Sequence, residues 1–108
     1  MEAMEKAAGY LTGTHDFKSF CSNKKMKKST VRTLYEIRLT RLPNELQIDY
    51  LGDGFLYNMV RILTGTLIEV GRGEREPEEI LDILKGRDRG LAGFTAPARG
   101  LTLVEVRY

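Results

Sequence analysis

One arginine lies alone in an otherwise uncharged part of the chain. Arg61 is the only charged residue between Asp53 and Glu69. In a helix it would lie about 200° from the centre of the apolar stripe, on a side that it shares with Tyr57, Thr64 and Ile68. That side offers few polar groups. A side facing solvent usually carries several Lys and Glu, so we expect another surface to cover this one. A covered guanidinium then requires a carboxylate or phosphate partner. The alternatives are that Arg61 extends to water or pairs within the domain.

The other candidates for chemistry are weaker. His15 and Asp16 are adjacent, as in the metal sites of phosphohydrolases, but the chain has one His and one Cys. A metal site is therefore disfavoured, and His15 is expected to order a turn. Cys21 has no His close in sequence, which disfavours a nucleophilic thiol. Asp49 and Asp53 are interpreted as a strand residue and a helix cap, so the residues alone provide no convincing catalytic group.

Positive charge is concentrated in the first third of the chain. Residues 1–41 carry nine Lys or Arg and four Asp or Glu, whereas residues 42–108 carry eight and eleven. The densest cluster is Lys24, Lys25, Lys27 and Lys28. These lysines could contact phosphate, or they could form a solvated loop. Gly71 and Gly73 could also approach a phosphate, although glycine at the end of a helix is the ordinary explanation.

Apolar spacing predicts three helices. A short helix is expected over Glu2–Leu11, and a core helix of about four turns is expected from Phe55 to Val70, with Asp53 as its cap. Acidic residues and a proline predict the start of a third helix at Glu76. A compact turn is expected between the first helix and the lysine cluster.

Alternating residues predict three strands. The first is Val31–Leu42, the second is Leu46–Tyr50 and the third is Leu101–Tyr108. A short link makes the first two an antiparallel hairpin. In the first strand the residues expected to share one face are Val31, Thr33, Tyr35, Ile37 and Leu39. The order of elements suits an α+β fold, an antiparallel sheet with helices packed on one face.

Length and composition favour one ordinary globular domain over residues 1–108. The chain is 42% hydrophobic and 30% charged, and this size does not require a disulfide or metal for stability. No run of about 18 apolar residues and no secretory leader is visible, so membrane spanning and secretion are disfavoured. We expect a cytoplasmic protein.

Several segments in order resemble one family. One of them resembles the signature helix in the C-terminal half of the TruA family of tRNA pseudouridine synthases: Gly54-Phe55-Leu56-Tyr57-Asn58-Met59-Val60-Arg61, followed by Gly65-Thr66-Leu67-Ile68-Glu69-Val70-Gly71. Others resemble the same family with compatible spacing: His15-Asp16-Phe17 with Phe20, Ser29-Thr30-Val31-Arg32, Asp88-Arg89, Thr95-Ala96-Pro97 and Gly100-Leu101-Thr102-Leu103-Val104. The resemblance extends from about Met4 to Tyr108.

The resemblance implies a reaction and its partners. The parent enzyme would isomerise uridine to pseudouridine on the 3′ side of the tRNA anticodon stem-loop, as a homodimer and without metal or organic cofactor. The reaction requires a flipped-out base and a catalytic Asp. In the family that Asp belongs to a Gly-Arg-Thr-Asp-type segment of the N-terminal half, which this sequence lacks. We therefore expect a C-terminal domain that needs the N-terminal half of the same enzyme and is inactive alone.

The resemblance also implies roles for individual residues. Arg61 would be the active-site arginine that pairs with the catalytic Asp and orders it. Leu101 would line the same pocket, and Tyr57 and Asn58 would support it. Asn58 and Thr102 depart from the commoner pattern, which has His and an aromatic residue there. The lysines at 24, 25, 27 and 28 would belong to the tRNA-binding surface.

Two other functions stay open on the sequence alone. The first is a free-standing RNA-binding or dimerisation module without catalysis. The second, a metal-dependent hydrolase centred on His15 and Asp16, is not supported by the number of ligands. A domain separated from an enzyme should expose the apolar face around Tyr57 and Ile68, whereas an independent module should cover it or make it polar.

Overall fold

Three helices and four strands form the fold. The computed structural model describes residues 2–23, 28–43, 45–97 and 102–106. The helices are α1 (Glu2–Leu11), α2 (Met59–Gly71) and α3 (Glu79–Gly86). The strands are β1 (Gly13–Asp16), β2 (Val31–Leu42), β3 (Glu45–Gly52) and β4 (Thr102–Val106). Two 3₁₀ turns, Lys18–Phe20 and Arg89–Leu91, follow β1 and α3.

The strands form one sheet in the order β1-β2-β3-β4. β1 pairs with β2 and β2 pairs with β3 in the antiparallel sense, and β4 adds a parallel edge beside β3. The α+β class and the β2–β3 hairpin are confirmed. The parallel edge differs from the expected antiparallel sheet. Two helices separate β3 from β4, and a long connection of this kind permits parallel pairing.

A bulge in β2 changes which side chains face the core. The register with β3 shifts between Leu34 and Glu36. Leu34 is buried, and beyond the shift Ile37 and Leu39 pack against the core. Tyr35 is 53% exposed. The predicted face was therefore correct for Ile37 and Leu39 and wrong before the bulge, because one extra residue reverses the alternation of side chains.

The prediction that Val31 shares the buried face is wrong for the same reason. Its side chain is 45% exposed. β1 was also not anticipated, since its four residues, Gly13–Asp16, were interpreted as turn. Within it His15 Nε2 lies 2.8 Å from the carbonyl oxygen of Thr12, and this contact orders the bend between α1 and β1.

The core helix begins later than predicted. α2 starts at Met59, and Asn58 precedes it with a left-handed backbone conformation (φ 58°). Asn is among the residues that adopt this conformation most readily. Asp53 does not cap the helix, because its Oδ1 accepts a hydrogen bond from the backbone N–H of Thr33 at 2.9 Å. Asp53 is therefore held by the hairpin and not by the helix.

One hydrophobic core joins the sheet to the three helices. Its largest fully buried side chains come from α1, β2, β3, α2, α3 and the turn after β1: Leu11, Phe17, Phe20, Leu34, Tyr50, Met59, Ile62, Leu63, Leu67 and Ile80. This packing holds α2 against the sheet. Arg61 therefore lies in the first turn of a helix whose residues are mostly buried. None of the helices in the described part of the chain is long and apolar enough to cross a membrane.

Candidate functional site

The backbone of Ala96 holds Arg61 in one orientation. Nε of Arg61 donates to the carbonyl oxygen of Ala96 at 2.7 Å, and the backbone N–H of Ala96 donates to the carbonyl oxygen of Arg61 at 3.0 Å. Nη1 donates to Oδ1 of Asn58 at 3.2 Å. Two of the three guanidinium nitrogens are thus bonded inside the domain, and the side chain is half-buried.

The outer edge of the guanidinium keeps donors for a further acceptor. In the parts of the chain that the structure describes, Nη2 has no hydrogen-bond partner and no carboxylate lies within ion-pair distance of Arg61. A guanidinium presents five N–H donors in a rigid fork, which matches two oxygens of a carboxylate or phosphate. The arrangement can therefore bind an anion without breaking its internal bonds.

Residues 92–97 cover the side of α2 that carries Arg61. A Cβ at Gly65 would overlap the carbonyl oxygen of Phe94, so this glycine permits the close approach. The backbone N–H of Gly93 donates to Oγ1 of Thr66 at 2.9 Å, and that of Phe94 donates to Oε2 of Glu69 at 3.3 Å. Part of this side is therefore covered by the chain itself, through a segment that the periodicity did not indicate. The alternative that Arg61 pairs within the domain describes its bonds to Ala96 and Asn58, and cover by another surface stays a prediction.

Thr64 lies deeper than expected. Its Oγ1 donates to the carbonyl oxygen of Val60 at 2.8 Å and lies 2.6 Å from the hydroxyl of Tyr50 on β3. Burial raises the pKa of Tyr50 far above its usual value, and the hydrogen bond with Thr64 opposes that rise in part. The phenol therefore stays neutral and fixes α2 to the sheet.

Asn58 connects Arg61 to a second segment of the chain. Its Nδ2 donates to Oγ of Ser22 at 3.1 Å, while its Oδ1 accepts from Arg61. The backbone N–H of Ser22 donates to the carbonyl oxygen of Tyr57 at 3.2 Å. Sequence reasoning did not identify Ser22 or the carbonyl of Ala96, since neither residue type signals a contact to a helix more than thirty positions away.

Tyr57 is the exposed residue of this surface. Tyr57 is 67% exposed, and Phe94 is 40% exposed. Ile68 is half-buried. The exposure expected of the apolar face is therefore found at Tyr57 and is smaller at Ile68.

Other residues singled out from the sequence lie elsewhere or outside the described part. Lys28 is exposed. Lys24, Lys25, Lys27 and Leu101 lie outside the described residues, so their roles stay predictions. Among the described residues no group of three or more His, Cys, Asp or Glu is placed to hold a metal ion.

The side chains of Asp16 and Cys21 make contacts with nearby residues of the same loop. Oδ1 of Asp16 accepts hydrogen bonds from the backbone N–H of Lys18 and from the hydroxyl of Thr30. Cys21 is buried, and its Sγ lies 3.7 Å from the carbonyl oxygen of Asn23. Both residues therefore order the loop after β1.

Comparison with known proteins identifies the family. Residues 7–108 match the family described as tRNA pseudouridine synthase. The chain is 52% identical over 108 residues to tRNA pseudouridine synthase A of Brevibacillus brevis, an alignment that covers all of this chain and 44% of that protein. It is 54% identical over 106 residues to tRNA pseudouridine synthase A of Anoxybacillus flavithermus, covering 98% of this chain and 43% of that protein. The chain thus spans less than half the length of these relatives. The match includes the helix of Arg61 and nearly every residue around it, and on this evidence the chain belongs to the tRNA pseudouridine synthase family.

Proposed function

We propose that this chain is the C-terminal domain of a tRNA pseudouridine synthase and that it supplies Arg61 to the active site. The observation that carries the proposal is the orientation of the guanidinium, which Ala96 holds through Nε while Nη2 keeps its donors. The carboxylate of an Asp from the N-terminal half of the enzyme would accept hydrogen bonds from the free edge of the guanidinium. Leu101 would line the same pocket.

The role of Arg61 follows from the charge it carries. The reaction detaches uracil from its ribose, rotates the base and rejoins it through a ring carbon, and the Asp must be ionised and correctly placed to act on the nucleotide. A guanidinium at bidentate distance stabilises the carboxylate form and lowers the pKa of the acid. Arg61 is therefore a positioning residue, and Asn58 and Ala96 keep its plane fixed before substrate arrives.

The exposed aromatic side chains favour an enzyme domain over a free-standing RNA-binding or dimerisation module. Tyr57 and Phe94 lie beside the segments that contact Arg61, at a surface that the N-terminal half would cover. The substrate would be tRNA, modified on the 3′ side of the anticodon stem-loop. Assembly as a homodimer and a cytoplasmic location complete the proposal.

Replacing Arg61 by Lys in the complete enzyme tests this role. Lysine keeps the positive charge but cannot form the bidentate fork or the Nε bond to Ala96. Losing one charge-assisted pair of about 1.5–3 kcal/mol corresponds to a fall of about 10- to 160-fold in kcat. The measurement is single-turnover pseudouridine formation in a tRNA transcript, together with the tRNA dissociation constant.

Arg72→Lys is the matched control, since Arg72 is exposed at the opposite end of α2. We expect its turnover to equal that of the unmodified enzyme. The two variants should bind tRNA with similar affinity, so that the loss for Arg61→Lys is confined to the chemical step. Near-normal turnover in Arg61→Lys would exclude the proposed role.

A further inference from the structure

A cavity lies between the first 3₁₀ turn and the end of α3. Its volume is about 280 Å³, and three cationic side chains and one carboxylate contribute to its lining: Lys18, Cys21, Asn23, Arg87, Asp88 and Arg89. This size is close to the lower end of ordinary ligand-binding pockets. The role proposed for Arg61 does not involve this cavity.

A buried serine forms hydrogen bonds that join the two segments lining the cavity. Oγ of Ser19, which is fully buried, donates to the carbonyl oxygen of Ile83 at 2.7 Å and accepts from the backbone N–H of Asp88 at 2.8 Å. Lys18 and Arg87, the neighbours of Ser19 and Asp88 in sequence, both line the cavity. The cations are therefore brought together by the fold and not by a single flexible loop.

The positive charge of the cavity is only weakly compensated. The carboxylate of Asp88 is engaged by the backbone N–H of Gly90 at 2.9 Å. Nη1 of Arg87 lies 3.9 Å from Oδ2 of Asp16, at the limit of an ion pair, and the Arg87 side chain is 66% exposed. Among the described residues Lys18 forms no ion pair. The lining therefore holds three cationic side chains against the one carboxylate of Asp88, and an anion that enters the cavity would meet an excess of positive charge.

Two sets of hydrogen bonds connect the cavity to the surroundings of Arg61. Ser22, between the lining residues Cys21 and Asn23, contacts Asn58, which contacts Arg61. On the other wall Nη2 of Arg89 donates to Oγ1 of Thr95 at 3.1 Å. Ala96 follows Thr95, and its carbonyl oxygen accepts the hydrogen bond from Nε of Arg61. The cavity and the guanidinium of Arg61 are thus linked by hydrogen bonds within this chain.

We propose that the cavity lined by Lys18, Arg87 and Arg89 binds a backbone phosphate of the RNA substrate close to the nucleotide that reaches Arg61. This inference rests on the proposed function. A phosphate held here fixes the register of the RNA without reading its sequence.

The test removes two cations and measures the salt dependence of binding. In the complete enzyme, the double variant Lys18→Gln with Arg87→Gln should weaken tRNA binding about 3- to 10-fold and reduce the slope of log K against log salt by about one. KM for tRNA should rise while kcat at saturating tRNA is retained. The control is Lys85→Gln with Arg41→Gln, two exposed residues that do not line the cavity.

The outcomes separate this inference from the role of Arg61. A salt slope equal to that of the control pair would overturn it, provided that both variants show the unfolding transition of the unmodified enzyme. Inorganic phosphate serves as a second probe. If inorganic phosphate saturates the cavity at micromolar concentration while the tRNA slope stays unchanged, the site binds free phosphate and the inference is wrong. A reduced slope in the double variant supports the cavity whether or not Arg61→Lys retains turnover.

Discussion

A single buried phenol makes the stability of the domain sensitive to alkaline pH. Tyr50 is fully buried, and its pKa is raised above the usual value by that burial. In the unfolded chain the phenol titrates at about pH 10. Above that pH the unfolded state releases the proton and the folded state does not, so the free energy of unfolding falls by up to about 1.4 kcal/mol per pH unit.

Tyr50→Phe should remove this pH dependence. At pH 8 we expect the variant to be less stable by about 1 kcal/mol, because the hydrogen bond with Thr64 is lost. The difference from the unmodified chain should shrink between pH 9 and pH 11, as urea unfolding will measure. Tyr35→Phe, at an exposed position, should follow the unmodified chain at every pH. A constant difference for Tyr50→Phe would contradict the assignment.

The contact between α2 and residues 92–97 depends on a glycine that admits no side chain. A Cβ at Gly65 would overlap the backbone of Phe94 and push the segment away from the helix. Gly65→Ala should therefore destabilise the domain by about 1–3 kcal/mol despite the better helix propensity of alanine. Because Ala96 moves with the segment, the same variant of the complete enzyme should also lose turnover.

Gly9→Ala is the matched control for this prediction. Gly9 lies on α1 with open space around the position of a Cβ. There the substitution should stabilise the domain by about 0.5–1 kcal/mol. Chemical denaturation of the two variants gives both values, and equal effects would show that the segment does not press on Gly65.

In the described part of the chain, Arg61 has no carboxylate within ion-pair distance. If the catalytic Asp belongs to the N-terminal half, the chain produced alone will form no pseudouridine in a tRNA transcript. Adding an N-terminal half with a Gly-Arg-Thr-Asp-type segment should restore the reaction. Nucleoside analysis by chromatography measures both results. Pseudouridine formed by the chain alone would place a catalytic group in these 108 residues.

Most of the helices, and the position of Arg61 on one of them, were predictable from the sequence. A charged residue isolated in an apolar helix is visible as a pattern, and so are apolar residues that repeat every three or four positions. The carbonyl of Ala96 was not predictable, since every residue has a carbonyl and only tertiary packing selects one. The grouping of cationic side chains at the cavity was not predictable either, because Lys18 and Arg87 are separated by most of the chain.

The sequence by itself determined the α+β class, the β2–β3 hairpin, the helix that carries Arg61 and the family. These depend on local periodicity, on short connections and on motifs that lie contiguous in the chain. Only the tertiary structure decided the parallel edge of β4, the bulge that turns Tyr35 outward, and the contacts that orient Arg61. Each of these depends on hydrogen bonds between residues distant in sequence, whose partners are selected by the packing of the whole domain.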